Sequence, residues 1–211
     1  MIVGIDEVGR GCWAGPLVAA AVGFADNIFI PELDDSKKLT AKKRTTLIPV
    51  IQSSTDQIGI GWVWPKEINR YGLTVSVQLA MHRALDQLTP PNNSATKIII
   101  DGNTNYLKDL LHNKALFSKD KPLKWEESAM ESEVLVGGDG LVPAISAASV
   151  VAKVARDEYM RQISKKYPQY GFDKHVGYGT KVHLEALKLY GVLSIHRVNY
   201  KPVKAILSGS V

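Results

Sequence analysis

An apolar run that ends in two adjacent acids opens the chain and constrains its fold more than any other stretch. Residues 1–5 are apolar, short and rich in β-branched side chains, which predicts a buried strand. Asp6 and Glu7 follow, and carboxylates at the end of a buried strand are costly unless they bind something positive. We therefore expect a metal site at these two acids, with Gly9-Arg10-Gly11 presenting backbone and guanidinium to a phosphate or sugar. The alternative is that the acids cap a loop and that Arg10 pairs with one of them.

The two acids also raise a geometric problem, because consecutive side chains on a regular strand point to opposite faces. For both carboxylates to reach one ion, we expect the backbone to leave strand geometry near Glu7. Gly9 and Gly11 make this departure possible, since glycine adopts the dihedral angles that a bulge or a tight turn requires.

Two further apolar runs repeat this design. Residues 97–100 lead into Asp101, and residues 134–136 lead through two glycines into Asp139. An ordinary Asp-Gly turn is the alternative for Asp101. If these runs lie in one sheet, an all-carboxylate set forms at its edge, and such a set suits Mg²⁺ or Mn²⁺. Two such ions about 4 Å apart could support in-line hydrolysis of a phosphodiester.

Motifs of other catalytic classes are absent from the sequence. It has no Gly-rich loop followed by Lys and Ser or Thr, as NTPases have, and no Gly-x-Ser-x-Gly element. Its one cysteine, Cys12, excludes an intrachain disulfide and a Cys-rich zinc site. Metal-assisted phosphodiester hydrolysis is therefore the chemistry that the residues favour.

The remaining pattern mixes strands with helices and predicts an α/β fold. Strands are predicted over 17–24 and 58–64, and residues 104–132 are predicted to form a loop with a short helix. Helices are predicted over 41–53, 74–88, 143–165, 181–190 and 202–207. Asp157 lies about 20 Å along its helix at 1.5 Å per residue, so we assign it to a surface ion pair with Lys153 and Arg161.

Composition indicates the setting in which such a site would work. With 211 residues, 45% of them hydrophobic, the chain suits a single domain over residues 1–211. Its net charge of +5 mildly favours a polyanionic partner. No apolar stretch is long enough to span a membrane, and the N-terminus has the features of neither a signal peptide nor a presequence. We therefore expect a cytoplasmic protein without membrane contact.

The stretch from Tyr167 to His183 interleaves glycines with tyrosine, histidine and lysine. Aromatic rings beside cations are typical of surfaces that stack on a sugar or base and hold phosphates. The alternative is a glycine-rich connector whose aromatic side chains cover the core.

Taken together, these motifs resemble the type 2 ribonuclease H family (bacterial ribonuclease HII) through nearly the whole chain. The motifs are Gly4 to Gly11, Asp35 to Leu39, Ile100 to Asn103, Gly138-Asp139 with Pro143 to Asp157, and His175 to His183. The resemblance implies a ribonuclease H-like three-layer fold, in which helices flank a central mixed five-stranded sheet. It also implies a helical C-terminal segment, about 168–211, that contributes to substrate binding.

The resemblance also implies roles for particular residues. The four metal-binding carboxylates of the family match Asp6, Glu7, Asp101 and Asp139. The turn that reads the ribonucleotide 2′-hydroxyl matches Gly9, Arg10 and Gly11, and the tyrosine that packs on the following deoxyribose matches Tyr178. Weaker candidates for phosphate contacts are Lys37, Ser146, Ser149, Lys153 and His183. Two positions depart from the family, because Gly138 and Val176 stand where basic residues are usual, and we expect somewhat weaker or more salt-sensitive binding.

The activity that this resemblance implies is hydrolysis of the RNA strand of RNA–DNA hybrids, and nicking 5′ of single ribonucleotides in duplex DNA. The cofactor would be Mn²⁺ or Mg²⁺, with two ions per site, the products would carry 5′-phosphate and 3′-hydroxyl ends, and the protein would be a monomer. Gly-Arg-Gly, in a chain that begins at the catalytic strand, favours type 2 over type 3 enzymes. The alternatives are a non-catalytic hybrid-binding protein, which four clustered acids disfavour, and a nucleotide-binding α/β protein, which the missing phosphate loop disfavours.

Overall fold

A mixed five-stranded sheet forms the centre of the computed structural model, which describes residues 1–25, 28–90, 96–108, 125 and 130–210. The strands are β1 (Ile2–Val8), β2 (Leu17–Phe24), β3 (Ile58–Val63), β4 (Thr96–Asp101) and β5 (Met130–Leu135). They lie in the order β3-β2-β1-β4-β5. β2 runs antiparallel to both β1 and β3, whereas β4 runs parallel to both β1 and β5. The parallel strands β1, β4 and β5 therefore end at the same edge of the sheet.

Helices cover both faces of this sheet, as the resemblance implies. They are α1 (Ala41–Ser54), α2 (Pro65–Leu85), α3 (Pro143–Lys166), α4 (Phe172–His175), α5 (Lys181–Tyr190) and α6 (Lys201–Leu207). Odd-numbered residues of β1, such as Val3 and Ile5, share a core with α2. The other face packs against α1 and α3. There α3 approaches so closely that a Cβ atom on Gly4 would lie 2.2 Å from the Ala144 backbone.

A third core joins the C-terminal segment to the rest of the fold. Ala14 and Met160 pack there with Tyr170, Phe172 and other side chains that follow them in the chain. This core lies next to the loop that follows β1, because Cys12 pairs with Tyr178 in an isolated bridge. The segment from 168 onward thus packs against the turn that the sequence assigns to substrate recognition.

Most predicted elements occur where the sequence places them, but the bounds of one helix and one strand differ. Helix α2 begins at Pro65, nine residues earlier than predicted, because Glu67 accepts from the Trp64 N–H (2.9 Å) and the helix continues through a kink at Gly72. Strand β5 begins at Met130, inside the predicted loop 104–132, because its first half contains three consecutive polar residues, Glu131 to Glu133, which resemble a loop. Residues 109–124 and 126–129 of that predicted loop lie outside the described residues.

The expected departure from strand geometry near Glu7 is wrong. β1 stays paired with β2 as far as Val8, with Glu7 opposite Ala19 and Val8 opposite Val18. Asp6 and Glu7 therefore leave the strand on opposite faces.

Within the described ranges, none of the helices has the length and apolar character needed to cross a bilayer.

Candidate active site

Three carboxylates from separate elements meet at the edge where β1, β4 and β5 end. Asp6 belongs to β1, Asp101 closes β4, and Asp139 lies in the short 3-10 helix Gly138–Gly140 that follows β5. One carboxylate oxygen of each lies within 4.8 Å of the others. The strand ends thus bring together three of the four predicted metal ligands.

Local backbone contacts explain this meeting. β1 and β4 are parallel neighbours with Ile5 paired to Ile100, so Asp6 and Asp101 follow side by side. The Gly138 N–H donates to Asp101 Oδ1 at 2.9 Å, which ties the 3-10 helix to the end of β4. A Cβ atom at Gly138 would lie 2.5 Å from Ile145 Cδ1, so a basic residue here would require the end of the Ile145 side chain to shift.

The electrostatics of the cluster favour a bound cation. Burial, with the charges of Glu7 and Asp101, raises the pKa of Asp6 to about 7. Burial also raises the pKa of Asp139, although Lys37 opposes that shift. Carboxylates held this close and this far from water take up protons unless positive charge compensates them. Oxygen-only ligands at this separation suit a hard divalent ion, so these side chains fit the implied metal.

Glu7, the fourth predicted ligand, lines the same pocket as Asp6, but its carboxylate pairs with Arg10 rather than joining the three-carboxylate cluster. Arg10 Nη1 donates to its Oε1 at 3.1 Å, while Arg10 Nη2 donates to the Tyr106 hydroxyl at 3.0 Å. Burial raises the pKa of Glu7, and Arg10 opposes this rise. An ion pair between Arg10 and one of the acids is the alternative to a metal site that the sequence leaves open. The structure contains both this ion pair and the three-carboxylate cluster.

A pocket of about 330 Å³ opens beside the acids. It is lined by Asp6 to Gly11, Ser36, Lys37, Ser149, Lys153 and Tyr178, so most of the residues predicted for substrate contact surround one space. Lys37 Nζ lies 3.2 Å from Asp139 Oδ2. Ser149 and Ser36 share a hydroxyl hydrogen bond of 2.7 Å. Three cations, Arg10, Lys37 and Lys153, therefore line this pocket together with the carboxylates of Asp6 and Glu7.

Two predicted contact residues lie outside this pocket. Ser146 is buried, and its hydroxyl donates to the Val142 carbonyl at 3.1 Å. His183 is fully buried, with its Nδ1 2.9 Å from the Tyr178 carbonyl and its Nε2 3.1 Å from Nε2 of His196. The structure therefore brings neither side chain to a position where it touches a phosphate.

The glycines of the Gly-Arg-Gly turn are required for different reasons. Gly9 has φ +92°, and a Cβ atom there would lie 2.4 Å from Nε of the buried Arg156. Gly11 would meet nothing within 4 Å if it carried a Cβ atom, and its φ is not in the left-handed region. The fold therefore needs glycine at position 9, whereas at position 11 the absent side chain leaves open space on the pocket wall.

Tyr178 stands over this turn and is 40% exposed. The Arg156 guanidinium lies 5.9 Å from its ring centroid, and the Tyr178 N–H donates to the His175 carbonyl at 2.8 Å. Val176, two residues before it, has φ +43°, which is strained for a β-branched residue. An aromatic face is thus held open to solvent beside the acids.

Sequence reasoning also missed several residues and misplaced Asp157. Asp157 is buried rather than on the surface, because this face of α3 packs against α1. It pairs with Lys153 at 2.8 Å as predicted, but its second partner is Arg44 at 3.8 Å, and Arg161 pairs with Glu158.

The buried Arg156, Arg197 and Tyr106 had no signal in the sequence, since a buried arginine has the same pattern as a surface one. Ser36 could have been found within the motif Asp35 to Leu39.

Comparison with known proteins gives a consistent result. The family model described as Ribonuclease HII matches residues 3–203. Ribonuclease HII of Dichelobacter nodosus is 39% identical over 210 residues, covering 100% of this chain and 99% of that protein. Ribonuclease HII of Geobacillus sp. (strain WCH70) is 40% identical over 206 residues, covering 98% of this chain and 66% of that protein.

Among solved structures, the chain is similar to ribonuclease H2 from Pyrococcus horikoshii, with a TM-score of 0.75 and 25% identity over 99% of this chain and 98% of that one. A structure titled as Bst-RNase HIII in complex with Mn²⁺ has a TM-score of 0.68 and 21% identity over 99% of this chain and 70% of that one. At that identity the likeness concerns the fold alone.

Proposed function

This chain belongs to the ribonuclease HII family, whose members are metal-dependent endonucleases of RNA–DNA hybrids, and we propose that it also nicks duplex DNA 5′ of single ribonucleotides. Cleavage would leave 5′-phosphate and 3′-hydroxyl ends. The observation that carries the proposal is the open backbone of Gly11 on the wall of a pocket that Asp6 and Glu7 also line. The 2′-hydroxyl is the group that separates RNA from DNA at one position, and an unobstructed backbone allows close approach to it.

We propose that Asp6, Glu7, Asp101 and Asp139 hold Mn²⁺ or Mg²⁺, with two ions per site during catalysis. When bound, these ions supply Lewis-acid stabilisation of the charge that develops on the phosphate and on the leaving oxygen. Three of the carboxylates lie within 4.8 Å of one another, which supports their role. In this structure the Glu7 carboxylate is paired with Arg10. Glu7 would therefore bind an ion only after that ion pair opens.

The remaining pocket residues would bind and orient the nucleic acid. Gly9, Arg10 and Gly11 would contact the ribose and its phosphate through backbone and guanidinium, and Tyr178 would pack on the following deoxyribose. The side chains of Lys37, Lys153 and Ser149 reach the same pocket, so phosphate contacts suit them. Through Tyr178, the segment 168–211 would contribute directly to substrate binding.

Ser146 and His183 are not part of this proposed contact set, because both are buried and bonded within the protein. We retain the expectation of a cytoplasmic monomer. The buried thiol of Cys12 and the nucleic-acid substrate are compatible with it. Light scattering of the purified protein would test the oligomeric state.

The test is metal-dependent nicking of a labelled duplex that carries one ribonucleotide. The wild-type protein should nick it with Mn²⁺ or Mg²⁺ and should fail with EDTA. Asp6→Asn and Asp101→Asn should each lower the rate by at least about a hundredfold. Asp56→Asn is a matched control, because Asp56 is an exposed carboxylate outside the pocket.

Two outcomes would contradict the proposal. Absence of metal-dependent nicking by a folded wild-type protein that still binds the duplex would favour the non-catalytic alternative. Nicking that survives Asp6→Asn or Asp101→Asn would mean that the ions are held elsewhere.

A further inference from the structure

A buried arginine ties together the two ends of the loop that contains the Gly-Arg-Gly turn, here called the recognition loop (residues 9–16). Arg197 is fully buried. Its Nε and Nη2 donate to the Gly15 carbonyl at 3.1 and 3.0 Å. Its Nη1 donates to the Arg10 carbonyl at 2.9 Å. One guanidinium thus links both ends of the loop.

Tyr200 completes this arrangement. Arg197 Nη1 donates to the Tyr200 hydroxyl at 3.1 Å, and that hydroxyl donates in turn to the Arg10 carbonyl. The Arg10 carbonyl therefore accepts from two side chains that come from the far end of the chain. The loop end at Pro16 is held separately, because Arg156 Nε donates to the Pro16 carbonyl at 2.9 Å.

A purely structural role would not require a buried positive charge such as that of Arg197. The described residues provide no carboxylate within ion-pair distance of it, and its contacts are carbonyl and hydroxyl oxygens. Burial lowers the pKa of Arg197. Burying a guanidinium costs several kcal/mol of desolvation free energy. An apolar side chain could pack against the loop without that cost. What a guanidinium adds is a rigid fork of donors with fixed directions.

These directions determine where the backbone of Gly11 points. In a trans peptide the C=O and N–H groups are antiparallel. Because the Arg10 carbonyl points inward to Arg197 and Tyr200, the N–H of Gly11 points the opposite way. Gly11 is exposed and lines the pocket, and its N–H has no acceptor among residues 1–25, 28–90, 96–108, 125 and 130–210.

We propose that Arg197, assisted by Tyr200, is a positioning residue for ribose recognition. It fixes the peptide between Arg10 and Gly11 so that the Gly11 N–H faces the 2′-hydroxyl of the substrate. This inference rests on the proposed function, since it needs a ribonucleotide in the pocket. Neither residue touches the substrate, so the effect is on discrimination rather than on the chemical step.

The experiment compares two constants for each variant, measured with the Mg²⁺-loaded enzyme. One is KM for nicking a duplex with one ribonucleotide. The other is Ki of the all-DNA duplex of the same sequence as a competitor. Arg197→Lys should raise KM about tenfold and change Ki less than twofold, since one backbone hydrogen bond to the ribose is lost. Tyr200→Phe should raise KM about twofold, because Arg197 still holds the carbonyl.

Arg161→Lys and Tyr190→Phe are matched controls and should leave both constants unchanged. Equal rises of KM and Ki in Arg197→Lys would indicate a general structural role and overturn the proposal, as would an unchanged Ki/KM ratio in both variants. If Arg197→Lys fails to fold, Tyr200→Phe alone decides. A wild-type protein without preference for the ribonucleotide duplex would refute the proposed function itself, and this inference with it.

Discussion

Two buried neutral histidines make the region around Tyr178 sensitive to acid. His183 and His196 are 0% and 1% exposed. Because the Tyr178 carbonyl accepts from Nδ1 of His183, the Nε2 of His183 accepts from Nε2–H of His196 at 3.1 Å. Nδ1 of His196 then accepts from the Leu193 N–H at 2.8 Å. Every ring nitrogen is satisfied with both rings neutral, so an added proton breaks a hydrogen bond.

The size of the effect follows from the two pKa values. Burial lowers the pKa of His183 and of His196 from 6.5 to about 4. Well above pH 6.5 the two histidines are neutral in both the folded and the unfolded forms, and the full stability is present. As the pH falls from 6.5 toward 4, the unfolded chain takes up protons that the folded protein refuses. The total loss is roughly 3 kcal/mol per histidine, of which about 1 kcal/mol appears by pH 5.5.

Urea unfolding at pH 7.5 and at pH 5.5 measures this loss as a change in the free energy of unfolding. His183→Asn should have a lower stability at pH 7.5 but should lose about 1 kcal/mol less on acidification than the wild type. The raised pKa values of Asp6, Glu7 and Asp139 act in the opposite direction, because the folded state holds their protons more tightly. They are present in both proteins and cancel in the comparison. An equal loss in the two proteins would refute the argument.

Two further predictions concern positions where the backbone decides the outcome. Gly11→Ala should keep the wild-type free energy of unfolding yet slow ribonucleotide nicking at least about tenfold, whereas Gly9→Ala should destabilise the fold by more than about 1 kcal/mol, because its Cβ atom meets Arg156. Equal stability of the two variants in urea would contradict this assignment. Val176→Asn should stabilise the protein by about 1 kcal/mol in the same assay, since asparagine tolerates φ +43° better than valine. A lower urea midpoint for Val176→Asn would show that the strain is not relieved.

The positions of the strand-end acids could be predicted because they depend on local pattern. Short apolar runs predicted β1 and β4, and parallel strands in one sheet place their terminal acids together. Asp6, Asp101 and Asp139 therefore meet as the sequence indicates. β5 was harder to predict, since its polar run Glu131 to Glu133 resembles a loop, yet the glycines after it still marked Asp139.

The error at Glu7 shows where local pattern stops being informative. The sequence suggested that a bulge would turn this side chain toward Asp6, but the ladder with β2 holds β1 regular through Val8. Hydrogen bonding to a neighbouring strand is a long-range property that glycines downstream do not reveal. The same limit applies to Arg197, whose partners Arg10 and Gly15 are more than 180 positions away in the chain.

Burial divides the cations around the site into two groups with different tasks. The side chains of Arg10 and Lys37 are 45% and 76% exposed and contact carboxylates, which a metal ion or a phosphate can replace as partners. Arg156 and Arg197 are fully buried and contact carbonyls of the recognition loop. An exposed ion pair costs little to open, whereas separating a buried guanidinium from its acceptors costs several kcal/mol. The recognition loop can therefore keep its shape while Arg10 and Lys37 exchange the acids for substrate.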